Sequence, residues 1–508
     1  MSKFYVTTPI YYVNDVPHLG HAYTTIAADI LARYYRMKGD RVFFLTGTDE
    51  HGAKVAEAAE KAKKSPQEFC DEKTARFKLA WDELNISYDN FIRTTDKDHE
   101  AAVQRVAQKL YEKGFIIKGS YEGLYCQGCE RYYTEKELVD GKCPEHQKIP
   151  EKYQEGCYLF KLSAFQKPLL QLIQENTLVI EPKERKNEII SFLSKEKLED
   201  ISISRKKVRW GIELPWDKTQ TTYVWIDALL NYLTGIGWDG RDLPVHVKEE
   251  GIYQWWSADL QLMAKDILRV HATIWTAMLL ALEIPLPKKI FAHGFFTING
   301  QKMSKSLGNA LDPIEQTKIF SSDGLRWLLI SSFPFGIDGD ISQERFYEKY
   351  NAELANGIGN LVSRSLTLAT KTQSSKLKTQ NQNLKFETAT QKTWENYEKY
   401  LGNLEFESVI KEIINYVGYW DKYIDDNEPW KLVETEIDKF NEVIYNVLEG
   451  IRQISWMVAA FMPETSDKIF EQLGILEIEK KKNLREAKKW GGVDFDKINK
   501  DEALFPRL

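Results

Sequence analysis

Two short segments nearly three hundred residues apart hold residue types that handle phosphate: His18-Leu19-Gly20-His21 and Lys302-Met303-Ser304-Lys305-Ser306. In the first, two imidazoles can donate hydrogen bonds to phosphate oxygens, and Gly20 leaves backbone open to a base or sugar. In the second, two lysines three apart sit in the polar stretch Gln301 to Asn309, after the turn signal Asn299-Gly300. Attack of a carboxylate on the α-phosphorus of ATP spreads negative charge over the transferred group and the pyrophosphate. Placement and positive charge therefore do most of the catalysis. The chemistry these residues suit is nucleotidyl transfer.

The surrounding pattern supplies elements to hold them. Phe4 to Thr7 is aromatic and β-branched and reads as a strand. The loop Thr8–Pro17 follows, and the spacing of Ile26, Ile30, Leu31 and Tyr34 predicts a helix entered at Pro17. His18, Gly20 and His21 then stand at a helix N-terminus, where free N–H groups and the dipole favour an anion. Gly294 to Ile298 reads as a strand leading to the lysine segment. An isolated HxGH is as often two ordinary histidines beside a cap. The second segment, continued by Leu307-Gly308-Asn309, decides for phosphate.

A second constellation points to metal. Cys126-Gln127-Gly128-Cys129 is followed thirteen residues later by Cys143-Pro144-Glu145-His146. Four such ligands at CxxC…CxxH spacing suit tetrahedral Zn²⁺, with Cys126, Cys129, Cys143 and His146 filling every position, hence a structural site. A redox CxxC or incidental cysteines is the competing reading.

The chain has 508 residues, 43% apolar and 12% aromatic, enough for a folded enzyme of two to four domains. A net charge of −6 argues against indiscriminate nucleic-acid binding while leaving room for a local basic face. Met1-Ser2-Lys3 runs straight into the first strand, with no leader pattern. The longest apolar run, Ile274–Leu282, stops at Glu283, short of a membrane span. With Cys70 and Cys157 lacking a partner motif, a reduced cytoplasmic setting is expected.

The paired segments resemble the HIGH and KMSKS signatures of class I aminoacyl-tRNA synthetases, in order and at a credible separation. Along nearly the whole chain the sequence is similar to the methionyl family. The resemblance rests on Thr8-Pro9-Ile10-Tyr11-Tyr12-Val13-Asn14, Thr48-Asp49-Glu50-His51-Gly52, Tyr223-Val224-Trp225-Ile226-Asp227-Ala228, Lys265-Asp266-Ile267 and His293-Gly294-Phe295-Phe296. It implies an α/β, Rossmann-like catalytic domain with a zinc-bearing connective insertion, followed by an all-α anticodon-binding bundle. Catalysis would fall to His18, His21, Lys302 and Lys305, with Gly20 and Ser304 completing the ATP-binding set. The methionine pocket would be Ile10, Tyr12, Trp225, Ala228, Tyr232, Ile267, His271 and Trp275, with Asp49 holding the ammonium. Aromatic walls suit a polarizable thioether, with His271 or Tyr12 available for a weak hydrogen bond to sulfur. Asp49, just past the apolar run Val42–Leu45, stands where open α/β sheets place ligands.

The implied division is 1–116 and 225–290 for the two catalytic halves, 117–224 for the insertion, 291–345 for the KMSKS-bearing stem-contact region and 346–508 for the bundle. About a hundred residues of insertion are short for an editing domain, which disfavours isoleucyl, valyl and leucyl enzymes. In the last third, three helical patterns recur: Leu354, Ile358 and Leu361; Phe406, Ile410, Ile413, Val417 and Trp420; and Phe440, Ile444, Val447, Ile451 and Ile454. Lys371–Lys385 reads as a surface loop. Asn360, Arg364 and Trp430 match family positions that meet anticodon bases, which suits stacking on splayed RNA. The implied partners are ATP with Mg²⁺, L-methionine and tRNA(Met), and the implied state is a monomer. Three positions depart from the family pattern: Ala264 for Gly, Gln261 for His and Ser257 for Pro. A class I ligase for another amino acid, or a silent tRNA-binding paralogue, is the alternative.

Overall fold

The computed structural model describes residues 2–14, 16–126, 131–133, 135, 138–144, 147–206, 208–241, 254–298, 300–302, 311–371, 377 and 384–508. Strand Lys3–Thr7 is the hub of a seven-stranded parallel sheet. It pairs with Arg41–Asp49 on one side and Leu260–Ala264 on the other; Lys289–His293 and then Val179–Glu181 extend the second side. Asn90–Arg93 and the two-residue strand Tyr11–Tyr12 both pair with Arg41–Asp49. The edge strand Val179–Glu181 comes from inside the 117–224 stretch, so that part of the chain returns to the main sheet before leaving again.

Alternation along the strands divides the core. Phe4, Val6, Phe44, Leu260 and Leu262 join one apolar cluster, and Tyr5, Leu45 and Met263 join another. Successive side chains point to opposite faces, so both faces are covered, as an all-parallel sheet requires. On the first face lies helix Leu19–Met37, and its cluster runs without a break into the C-terminal helices. On the second lie the helical turns of residues 268–281 and the helices Gln166–Gln174 and Lys183–Lys195.

Between the halves, Ile116–Cys126 and Glu151–Phe160 form a long antiparallel ladder from Ile116 opposite Phe160 to Tyr125 opposite Glu151. Cys126 lies at its far end. Downstream of the main sheet, Phe296–Ile298 pairs antiparallel with Gln301–Lys302 and parallel with Gly339–Ile341. The strand expected over Gly294 to Ile298 is shorter, Phe296–Ile298, with Gly294 and Phe295 linking it to the sheet strand that closes at His293.

The C-terminal helices include Asn360–Ala369, Leu384–Gly402, Phe406–Asn427, Ile437–Val458 and Pro463–Gln472. Helix Leu384–Gly402 has no counterpart among the three sequence patterns. Its buried face mixes Phe386, Trp394, Tyr397 and Leu401 with Thr390 and Thr393, which blurs the apolar period. Among the described residues no helix is long and apolar enough to cross a membrane.

One side chain stitches the bundle to the sheet. Arg326, wholly buried, pairs with Asp29 of the first helix at 2.7 Å and donates to the carbonyls of Leu84, Ala460 and Phe461 at 3.1, 3.1 and 2.8 Å. Removing Arg326 takes away the donor to three carbonyls and one of the two guanidinium partners of Asp29, which keeps Arg33 at 2.7 Å and two bonds from Ser87. Arg326→Met should therefore cost about 3–5 kcal/mol, read as an earlier urea transition. Adding Asp29→Asn should deepen that loss, because it also weakens the bonds from Arg33 and Ser87; recovery would mean that Asp29 is stranded once Arg326 is gone.

Candidate active site

The carboxyl ends of the parallel strands surround a cavity of about 350 Å³. Four of the long central strands deliver residues to it: Pro9 to Tyr12 follow Thr7, Asp49 ends its strand, and Ala264 and His293 end theirs. Ligands of open parallel sheets bind at this edge. Ile10, Tyr12, His18, Gly20, His21, Asp49, Trp225, Ala228, Tyr232, Ile267 and His271 all line the cavity, so residues far apart in sequence meet there. Trp275 does not line it. Fully buried, it stands behind Tyr232 with ring centres 5.6 Å apart and donates to Gln261 at 3.2 Å. Lys302 is placed only by its strand pairing, and Ser304 and Lys305 lie outside the described residues.

Helix Leu19–Met37 begins in a capping box made of histidines. His18 is the N-cap: its Nδ1 accepts from Gly20 N–H at 3.0 Å, and its own N–H donates to His21 Nδ1 at 3.3 Å. A ring nitrogen that accepts holds no proton, so in each neutral imidazole the proton sits on Nε2. The backbone thereby sets both rings as Nε2–H donors, stacked 3.7 Å apart. Gly20 serves this arrangement first. A Cβ there would stand 2.9 Å from His18 Cε1 and 3.0 Å from Nδ1, displacing the ring from its capping contact.

Tyr232 and His271 form a neutral pair in the apolar wall. His271 Nδ1 lies 2.9 Å from the Ile267 carbonyl, which can only accept, so Nε2 is left to accept from the Tyr232 hydroxyl at 2.7 Å. Burial pushes the His271 imidazole down to about 4, against the weaker upward pull of the Ile267 carbonyl. Tyr12 donates to the His51 carbonyl at 3.1 Å. Both groups expected to reach sulfur already have internal partners, and the wall offers mainly aromatic faces.

Behind the cavity, Asp227 bridges two histidines. Its carboxylate lies 2.6 Å from His51 Nδ1 and 2.7 Å from His99 Nε2, and His99 reaches Thr234 with its other nitrogen at 2.7 Å. Burial alone would raise Asp227, but the His51 charge and the bonds from both rings hold it below the ordinary carboxylate value. Burial likewise opposes a charge on His51, and the Asp227 carboxylate overcomes it, raising that imidazole. His51 lies two residues past Asp49, and Asp227 lies between Trp225 and Ala228. The bridge thus ties the carboxylate corner of the cavity to its apolar wall.

The sign of its pH dependence follows. The raised imidazole contributes stability in full below 6.5, its ordinary value, and loses it as pH climbs through the raised value. The depressed carboxyl contributes in full above 3.8 and loses it as pH falls through the depressed value. Melting temperature against pH should show a plateau between those limits, and Asp227→Asn should lower the curve most on that plateau. A uniform offset would argue against the charged pair.

In the knuckle, Cys126 and Cys143 are both buried and share a small cluster with Tyr133, whose hydroxyl is 3.4 Å from Cys143 Sγ. One cysteine from each pair is thus brought together, and two soft donors in one small cluster fit zinc. Cys129 and His146 lie outside the described residues. In the bundle, Arg364 bonds Asp425 at 2.6 Å and lies over the Trp430 ring at 5.4 Å. Trp430 is 41% exposed, rare for a tryptophan, and Asn360 is exposed one turn before Arg364.

Several cavity residues carry no assignment from sequence: Tyr11, Tyr23, Thr24, Asn231, Asp266 and His293 among them. Asp266 and His293 belong to segments that resemble the family, and the strand-end position of His293 is the signal that could have found it.

Comparison with known proteins agrees with this geometry. The family described as "tRNA synthetases class I (M)" matches residues 4–157 and 146–366. The methionine–tRNA ligase of Caldanaerobacter subterraneus subsp. tengcongensis is 42% identical over 517 positions, covering 99% of this chain and 79% of that protein. Mycobacterium tuberculosis methionyl-tRNA synthetase in complex with methionyl-adenylate superposes with a TM-score of 0.92 at 35% identity, covering all of both chains. The free-state structure of the Mycobacterium tuberculosis protein gives 0.84 at 33% identity, covering 100% of this chain and 98% of that one. With the parallel sheet, the histidine-capped helix and the strand-end cavity, these likenesses show that the chain belongs to the methionyl family of class I tRNA synthetases.

Proposed function

We propose that the chain is a methionine–tRNA ligase that activates L-methionine with ATP and passes it to the terminal adenosine of tRNA(Met), for initiation and elongation. The carrying observation is the cavity itself, where a histidine-capped helix start, a buried carboxylate and an aromatic wall meet. Asp49 takes the substrate ammonium, and Trp225, Tyr12 and Tyr232 pack the thioether. ATP enters as its Mg²⁺ complex. The methionine carboxylate attacks the α-phosphorus and pyrophosphate leaves. His18 and His21 stabilise the developing charge through their Nε2–H groups, Lys302 and Lys305 through their ammonium groups. The 2′-hydroxyl of the tRNA then attacks the mixed anhydride and AMP leaves.

Asn360, Arg364 and Trp430 meet anticodon bases, the exposed indole stacking and the polar pair bonding base edges. Cys126, Cys129, Cys143 and His146 hold a structural zinc, which when bound would cross-link a module with little core of its own. A cytoplasmic monomer divided at residues 116, 224, 290 and 345 completes the reading. Aromatic residues along the cavity wall support methionine over other amino acids. ATP–pyrophosphate exchange with each of the twenty amino acids tests it: exchange with methionine alone is expected, and exchange with another amino acid would overturn the pocket assignment.

A further inference from the structure

Thr24 and His293 join the two elements that carry the phosphate-handling segments. Thr24 is buried one turn beyond Gly20 on the first helix, and its hydroxyl lies 2.6 Å from His293 Nε2. His293 Nδ1 lies 2.7 Å from the Gly294 carbonyl, which can only accept, so Nε2 accepts and the threonine hydroxyl donates. Burial keeps the His293 imidazole neutral, pushed down to about 4. Tyr23 and Phe335 hold the ring from two sides, each with centres 5.2 Å away.

The described residues that follow His293 are closely held by neighbouring chain. A Cβ at Gly294 would meet the Ile337 carbonyl at 2.1 Å, and Phe295 N–H donates to Asp338 at 2.8 Å. That same Asp338 pairs with Lys265, and Phe296–Ile298 lies in register with Gly339–Ile341. Gly300 N–H and Thr297 both bond Asp340, at 2.6 and 2.7 Å, which closes the turn onto Gln301–Lys302. These contacts hold the described residues His293 to Ile298 and Gly300 against the stretch Ile337–Ile341, beside the strand that carries Lys302. The side-chain bond from His293 to the histidine-bearing helix is Thr24–His293.

We propose that Thr24 and His293 are positioning residues for adenylate formation, setting the spacing between the histidine-capped helix start and the lysine-bearing hairpin. The inference rests on the ligase reading. Charge-stabilising donors act only where their spacing matches the transition state, and small misplacements cost rate rather than substrate affinity. Loss of the bond should therefore separate ATP chemistry from methionine binding.

The test uses the full chain and five proteins: parent, Thr24→Val, Thr24→Ser, His293→Gln and the Thr24→Val/His293→Gln double variant. Methionine-dependent exchange gives kcat and KM for ATP, and tryptophan fluorescence gives the Kd for methionine. Thr24→Val keeps shape and removes only the hydroxyl, so kcat/KM for ATP should fall about tenfold with methionine Kd within twofold. Thr24→Ser, which keeps the donor, should retain the parent rate. The double variant should lose no more than the worse single one. Parent kinetics in Thr24→Val would overturn the assignment. So would fully additive losses, or ATP and methionine parameters falling together with melting temperature. If His293→Gln fails to fold, the Thr24→Val and Thr24→Ser pair still decides. Absence of exchange in the parent would instead overturn the ligase reading, and this role with it.

Discussion

His21→Ala is expected to lower kcat for methionine-dependent exchange by about two to three orders of magnitude, the usual effect of removing one donor aimed at developing charge. Methionine Kd should stay within about twofold, because a donor used in the transition state adds little to ground-state binding of the other substrate. The geometry adds a finer expectation. His21 Nδ1 accepts from the His18 N–H at 3.3 Å, so in the neutral ring Nε2 is the atom that carries the proton. Gln places an amide N–H close to the Nε2 position, whereas Asn reaches only as far as Nδ1. His21→Gln should therefore retain more activity than His21→Asn. The ring also packs on Tyr11 and Phe77, at 4.8 and 5.4 Å, so melting temperature must be measured alongside. Equal loss in all three variants, with lowered melting temperature, would assign His21 to packing.

Asp49→Asn should raise the KM for methionine about a hundredfold. The carboxylate is 5% exposed at the end of its strand and lines the cavity. Replacing one partner of a desolvated charge pair costs about 2–5 kcal/mol, much of it from leaving the ammonium without its counter-charge. Asn keeps the shape, so the wall formed by Trp225 and Tyr232 should be preserved. A methionine analogue without the amino group separates the terms: it should bind the variant and the parent about equally. An unchanged KM for methionine would remove Asp49 from the site.

The parts of this fold legible in the sequence are those where local pattern and position coincide. The strand from Phe4 and the helix through Tyr34 alternate or repeat on their own, and the pocket residues sit in segments that resemble the family. What stayed hidden depends on distant partners. Val179–Glu181 is three residues long, and only Lys289–His293, over a hundred residues away, makes it a sheet strand. Helix Leu384–Gly402 hides behind buried threonines, which read as surface. Trp275 belongs to the pocket that the resemblance implies, yet Tyr232 stands between it and the cavity. The hydroxyl of Thr24 and the ring of His293 are unremarkable until the fold places them 2.6 Å apart.

The unbroken cluster beneath the first helix has a consequence for modularity. One face of the parallel sheet is finished by residues of the C-terminal helices, and Arg326 seals the junction with four contacts to three separate stretches of chain. Exchanging this bundle for one from a relative would exchange the floor of the catalytic half as well. Recombination between such proteins should succeed only where the graft carries residues 320–330 and the first helix from the same parent. Additions at loop tips, which touch neither, should be inherited freely.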